Sequence, residues 1–217
     1  MNKMKTKRTL YFDVLNILAC IAVIILHHNG VSHIFMPNST WAQALIPEVL
    51  FYWAVPIFFM LTGATLMEYR DRYDTYTFFK QRIKRTFIPF LLWSFIAAIF
   101  LWIRGKIEFP NPVSFIVGLL QNSYQSVYWF FIPLFGLYLM IPIVSLIKDN
   151  KQIIRYSIIL LLIWNAVIPF GYTMAQLFYD IEPNKFFINN MAGPLLYMLL
   201  GYAISKNILL FGGVRRC

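Results

Sequence analysis

Residues 10–28 read LYFDVLNILACIAVIILHH, an apolar run long enough to cross a bilayer that nevertheless carries Asp13, Asn16 and the pair His27–His28. A spanning helix needs about 20 mostly apolar residues. A charge at its centre costs about 2.5–3.5 kcal/mol on insertion scales, so polar groups there point to a functional site. This stretch therefore sets both the fold class, an α-helical membrane protein, and the first place to look for chemistry.

The rest of the chain repeats the pattern. Of 217 residues, 59% are hydrophobic and only 13% charged, where soluble domains have about 25% charged residues. Further spans are predicted at about 47–67, 87–103, 127–147, 153–172 and 188–205. The expected fold is all-α, a polytopic bundle of about six spanning helices. VSFIVGLLQNS, residues 113–123, is too short to span and reads as an interfacial or re-entrant helix. The stretches between, including residues 29–47 and 172–186, read as loops. Pro56 and Gly63 predict a kink and a close helix contact in the second span. Pro89 falls in the first turn of the third, where proline is tolerated. With no internal repeat and no low-complexity linker, residues 1–217 read as a single membrane-embedded domain.

A net charge of +10 would point to nucleic acid in a soluble protein. Here its distribution points elsewhere, and no nucleic-acid partner is expected. Sixteen of the nineteen Lys and Arg residues fall in alternate inter-span segments and the two termini, leaving Arg104, Lys106 and Lys185 on the other side. Under the positive-inside rule the protein is multi-pass in the cell membrane, with both termini cytoplasmic. Cys20 and Cys217 offer neither a disulfide framework nor metal-ligand spacing, and no metal is expected. No small-residue cleavage site follows the first run, so it reads as a span rather than a cleaved signal.

Two clusters could carry chemistry. Asp13 and Asn16 share a side of the first span near its inner end, and His27 lies three turns from Asn16 on the same side. A neutral imidazole beside a hydroxyl can take its proton. Taken in isolation, His27 or His28 also fits a helix cap or an interfacial anchor. In KQRIKR, residues 80–85, Arg82 and Arg85 share a helix face, as do Lys80 and Lys84. Such a face suits the phosphates of a nucleotide-like donor, and equally an anionic-lipid anchor. The aromatic run Tyr128 to Phe131 fits an interface belt. No phosphate-cradling glycine loop, nucleophile elbow or zinc site occurs.

In order, these pieces resemble the integral-membrane acyltransferase type three family, which includes sugar O-acetyltransferases of bacterial envelopes. The first span resembles its opening signature through Asp13, Leu15, Asn16, Ala19, Val23 and His27; VPIFFMLTGATL (55–66) resembles its proline–aromatic–serine/glycine segment. FFKQRIKRTFIPFLLW (78–93) resembles its basic segment, and YWFFIPLFGLYLMIP and GPLLYMLLGY later ones. The resemblance implies an acyltransferase moving groups other than aminoacyl. The donor would be a cytoplasmic acyl-CoA, foremost acetyl-CoA, and the acceptor a hydroxyl of a cell-envelope saccharide or lipid-linked sugar at the bilayer. It implies His27 as base or acyl relay, Arg82 and Arg85 at the donor, and Asp13, Asn16, Thr62 and Gly63 in donor-binding or supporting places. Asn16 stands where the family has a basic residue, and His28 leaves two imidazoles to choose between. Family members usually have roughly ten spans, so six predict a C-terminally truncated product. The competing class is a non-catalytic fragment or a transporter-like bundle, which polar groups in spans and a proline-broken helix also fit.

Overall fold

The computed structural model describes residues 9–179 and 192–209. The basic N-terminal run, the loop residues Asp180, Glu182 and Lys185, the start of the sixth predicted span and the tail from residue 210 lie outside them. Among the described residues the secondary structure is entirely helical. Ten α-helices follow in order: α1 (Leu10–His28), α2 (Ser39–Phe51), α3 (Ala54–Leu66), α4 (Thr75–Arg82), α5 (Ile88–Ile103), α6 (Pro112–Leu120), α7 (Phe131–Val144), α8 (Lys151–Leu162), α9 (Ile168–Phe178) and α10 (Ala192–Ser205).

Several run into one another. Among the described residues, five helical stretches are long and apolar enough to cross a membrane: Leu10–His28, Ser39–Asp71, Thr75–Ile103, Ser126–Ile147 and Lys151–Phe178. Their surfaces are largely exposed aliphatic and aromatic side chains, such as Ile17, Ile21 and Ile24 on α1. Only a surrounding apolar solvent makes that favourable. Helix α6 is too short to cross and packs on α5 through Phe115 against Phe95, ring centroids 5.9 Å apart; among the described residues α10 too is shorter than a crossing helix.

Three boundaries correct the sequence reading. Helix α2 begins at Ser39, eight residues inside the predicted loop, because the Asn38 side chain accepts the Trp41 amide at 2.9 Å and caps it. Tyr172 to Phe178, also predicted as loop, forms the end of α9. The third span begins at Thr75, capped by Asp74, rather than near residue 87.

Pro89 does not start that third span; the helix passes through it. A proline ring clashes with the carbonyl four residues back and leaves it without a donor. Here the chain widens into a π turn over Ile83–Phe87, and the Ile88 amide donates to the Ile83 carbonyl. The same solution recurs at Pro169, with a π turn over Ile163–Val167 and the Ile168 amide donating to Ile163. In the second span the break falls at Tyr52–Trp53, between α2 and α3. Tyr52 supplies the carbonyl that Pro56 leaves unmatched. The regular α-helical bonding is thus interrupted one turn before Pro56, while Tyr52 and Trp53 keep right-handed helical backbone angles.

The chain forms two compact units, one of residues up to Glu68 together with those from Ile143 onward, the other Tyr69–Pro142. In the first, α3 packs along α10, α1 packs on α3, and α8 packs on α10. The α3–α10 contact is backbone to backbone. A Cβ on Gly63 would lie 1.8 Å from the Met198 carbonyl oxygen, and one on Gly201 would lie 2.0 Å from that of Met60. Small residues permitting close approach are the usual basis of helix pairing in lipid. Polar ties hold the ends: Lys206 pairs with Glu68 at 2.7 Å, Arg155 Nε donates to the Ile208 carbonyl at 2.7 Å, and the Tyr202 hydroxyl donates to that of Lys148 at 3.1 Å.

The second unit is held by aromatic rings. Phe90 meets Tyr128, Phe131 and Phe135 at centroid distances of 5.9, 5.0 and 5.3 Å. Phe78, fully buried, packs on Tyr69 at 4.5 Å. An Arg70 guanidinium N–H donates to the Pro142 carbonyl at 2.9 Å, joining the two ends of the unit.

Candidate active site

Helix α1 runs unbroken from Leu10 to His28, burying Ala19 and Ala22. Asn16 and His27 are therefore about 20° apart around the axis and about 16 Å apart along it, beside that buried stripe. Asn16 and His27 are exposed, and Asp13 is half-buried. The two imidazoles differ in one respect. The His28 ring is bonded through Nδ1 to its own helix, at the Ile24 carbonyl, 2.8 Å away. His27 makes no hydrogen bond among the described residues, so both ring nitrogens are open to a substrate.

The segment after His28 is fixed by a carboxylate that sequence reasoning did not single out. Glu48, half-buried on α2, accepts from Ser32 Oγ at 3.2 Å and from Asn29 Nδ2 at 3.4 Å. Asn29 also donates to the Ala44 carbonyl, and the Trp41 indole N–H donates to the Ser32 carbonyl at 3.2 Å. The position of the histidine end of α1 is thus set by α2. The signal was present, a lone carboxylate at the edge of an apolar run, which is costly unless partnered.

On α3, the Thr62 hydroxyl donates back to the Phe58 carbonyl at 2.9 Å, and Gly63 lies against Met198 as described. Both sit on the helix that α1 packs against.

Arg82 and Arg85 belong to the second unit. Arg82 ends α4, and its guanidinium lies 5.8 Å from the ring centroids of both Phe78 and Tyr138. Cation–π contacts of this kind hold a guanidinium in place. Its Nε is buried and has no hydrogen-bond partner among the described residues, while Arg85 is exposed on the π turn. The predicted shared face of Arg82 and Arg85 assumed α-helical spacing; the π turn changes it by widening the helix between them. At the head of the same helix, the Thr77 hydroxyl, together with the Tyr76 and Thr77 amides, holds the Asp74 carboxyl below its usual range. Among the described residues no three His, Cys, Asp or Glu side chains gather as metal ligands would.

An all-helical chain with several membrane-crossing stretches, an open imidazole at the end of one and a structured basic segment at the start of another defines a multi-span membrane protein with the means for polar chemistry. A family model for the acyltransferase domain, type three, matches residues 9–213. The chain belongs to this family and is a membrane acyltransferase. Neither the curated proteins nor the solved structures include a match to it.

Proposed function

We propose that the protein moves an acyl group, foremost acetyl, from acyl-CoA to a hydroxyl of a cell-envelope saccharide or lipid-linked sugar, with residues 1–217 serving one catalytic domain. His27 takes the proton of the acceptor hydroxyl. The oxygen then attacks the thioester carbonyl, the C–S bond breaks, and the imidazolium returns the proton to the leaving thiolate. Arg82 and Arg85 bind the donor's phosphates, Arg82 prepositioned by its two aromatic neighbours. Asp13, Asn16, Thr62 and Gly63 take donor-binding or supporting places, Gly63 by holding α3 against α10.

The observation that carries this reading is the contrast at the end of α1, where His28 is bonded to Ile24 and His27 is not. The distribution of basic residues supports a multi-pass orientation with both termini cytoplasmic, the side on which acyl-CoA is found. The helix break at Tyr52–Trp53 favours a second reading, a transport pathway of discontinuous helices. One assay separates them: membranes containing the protein are given labelled acetyl-CoA and an envelope saccharide. Label in the saccharide supports acyl transfer. Saccharide flux without acylation supports transport and refutes the proposal.

A further inference from the structure

The second unit holds a small pocket, open on one side, whose interior of about 10 Å³ has room for one water-sized group; Phe90, Ser94, Asn122, Gln125, Tyr124 and Tyr128 are among the residues that line it. Two of its lining residues carry buried polar atoms with no hydrogen-bond partner among the described residues. Ser94, 1% exposed in the middle of α5, leaves Oγ without a hydrogen bond, and Asn122 leaves Oδ1 so. Buried polar groups are nearly always paired, and an unpaired one costs about 1–3 kcal/mol. Two on the walls of one cavity call for a common explanation.

Local structure explains the backbone of Asn122 but not its side chain. Helix α6 ends in a Schellman motif: the Asn122 amide donates to Leu119 at 3.2 Å and the Ser123 amide to Gly118 at 2.9 Å. The motif requires the left-handed conformation that Asn122 adopts, at φ 54°. Glycine adopts it most easily and does so at Gly105, φ 66°, after α5. Asparagine thus brings to the cap an amide the cap does not need. Besides Gln125, Leu119 and Gly118, the remaining wall is aromatic, with Tyr124 seated on Gly118 so closely that a Cβ there would fall 2.5 Å from the ring. Tyr124 donates its own hydroxyl hydrogen to the Ser114 carbonyl at 3.1 Å and is satisfied.

We infer that this cavity is a binding site for the hydroxyl group of a small neutral ligand, which donates to Asn122 Oδ1 and exchanges a hydrogen bond with Ser94 Oγ. The lining residues include no charged side chain, which selects against ions. The space takes one hydroxyl-sized group at its inner end, with the attached carbons against Phe90, Tyr124 and Tyr128. A rotation of Ser94 about χ1 turns its hydroxyl to the guest. The hydroxyl can come from the water phase, on a sugar or polyol, or from the bilayer, on a glycerolipid. The site is independent of His27 and of the transfer reaction proposed above.

The test uses the full chain in lipid nanodiscs with ¹³C-labelled tyrosine rings. It is titrated separately with methyl β-glucoside, with monoolein, and with methyl oleate, which has no hydroxyl. A saturable shift at Tyr124 and Tyr128 with either hydroxylated probe, and none with methyl oleate, is expected; the probe that gives it identifies the source. Asn122→Gly keeps the helix cap and removes the amide, and Ser94→Ala removes only the hydroxyl. Each is expected to weaken binding about tenfold, the loss of one hydrogen bond, with helicity and thermal midpoint retained in Asn122→Gly. No saturable shift with either probe in the unsubstituted protein overturns the inference and leaves the cavity to water. A shift that survives both substitutions overturns it as well.

Discussion

Gly63→Ala is the sharpest test of how α3 and α10 are held together. The added methyl would sit 1.8 Å from the Met198 carbonyl oxygen, 2.7 Å from its carbon and 3.1 Å from its Cα. Ordinary contact begins near 3.4 Å, so the shortfall is about 1.6 Å against an atom that cannot rotate away. The helices must separate. A radial gap of only about 0.5–1 Å already forfeits a quarter to a half of each dispersion contact along the interface. Alanine's better helix propensity returns at most about 1 kcal/mol. Overpacking costs about 1–3 kcal/mol, and a backbone clash belongs at the upper end of that range. The net expectation is a loss of about 1–2 kcal/mol, with a similar loss in Gly201→Ala, whose methyl would meet the Met60 carbonyl at 2.0 Å. Reversible unfolding in mixed micelles at increasing SDS measures both. Gly136→Ala is the control, because a Cβ there meets nothing within 4 Å, and it should be neutral or slightly stabilising. If Gly63→Ala and Gly201→Ala are as stable as the unsubstituted protein, or Gly136→Ala loses as much, the close contact is not what holds these helices.

Glu48→Ala removes the acceptor shared by Asn29 and Ser32, and should lower the turnover rate several-fold with helix content by circular dichroism unchanged. Arg82→Lys loses the planar group set between Phe78 and Tyr138; KM for acyl-CoA should rise about three- to tenfold with kcat nearly constant. Asp74→Ala removes the cap of α4. Because the Asp74 carboxyl titrates lower folded than unfolded, its stabilisation is complete above the unfolded pKa of about 3.9. It is lost as pH falls through the lower folded-state value. Thermal midpoints of the two proteins should therefore differ at pH 7 and converge in acid below about pH 4.

What could be read from residues alone was local. Gly63 announced a close helix contact and Pro56 an interruption of the helix because each acts on its own turn of chain. His27 and Asn16 could be placed on one side of α1 because that helix has no interruption. The start of the third span was missed for a physical reason. Proline is most often met in a first turn, whereas here an upstream cap at Asp74 and a π turn carry the helix through Pro89. The pairing of Arg82 with Tyr138 joins residues far apart in the chain, and no periodicity reports it. Ser94 gave no signal, since a serine in an apolar helix usually bonds to its own backbone.

Acyl transfer to the acceptor, measured side by side in membranes carrying the unsubstituted protein, His27→Ala and His28→Ala, tests the central claim most directly. Loss of a general base is expected to reduce the rate of His27→Ala by about 10²- to 10⁴-fold, with membrane insertion unchanged and His28→Ala within a few-fold of the unsubstituted rate. Transfer that persists in His27→Ala, or that is lost in His28→Ala instead, contradicts the assignment.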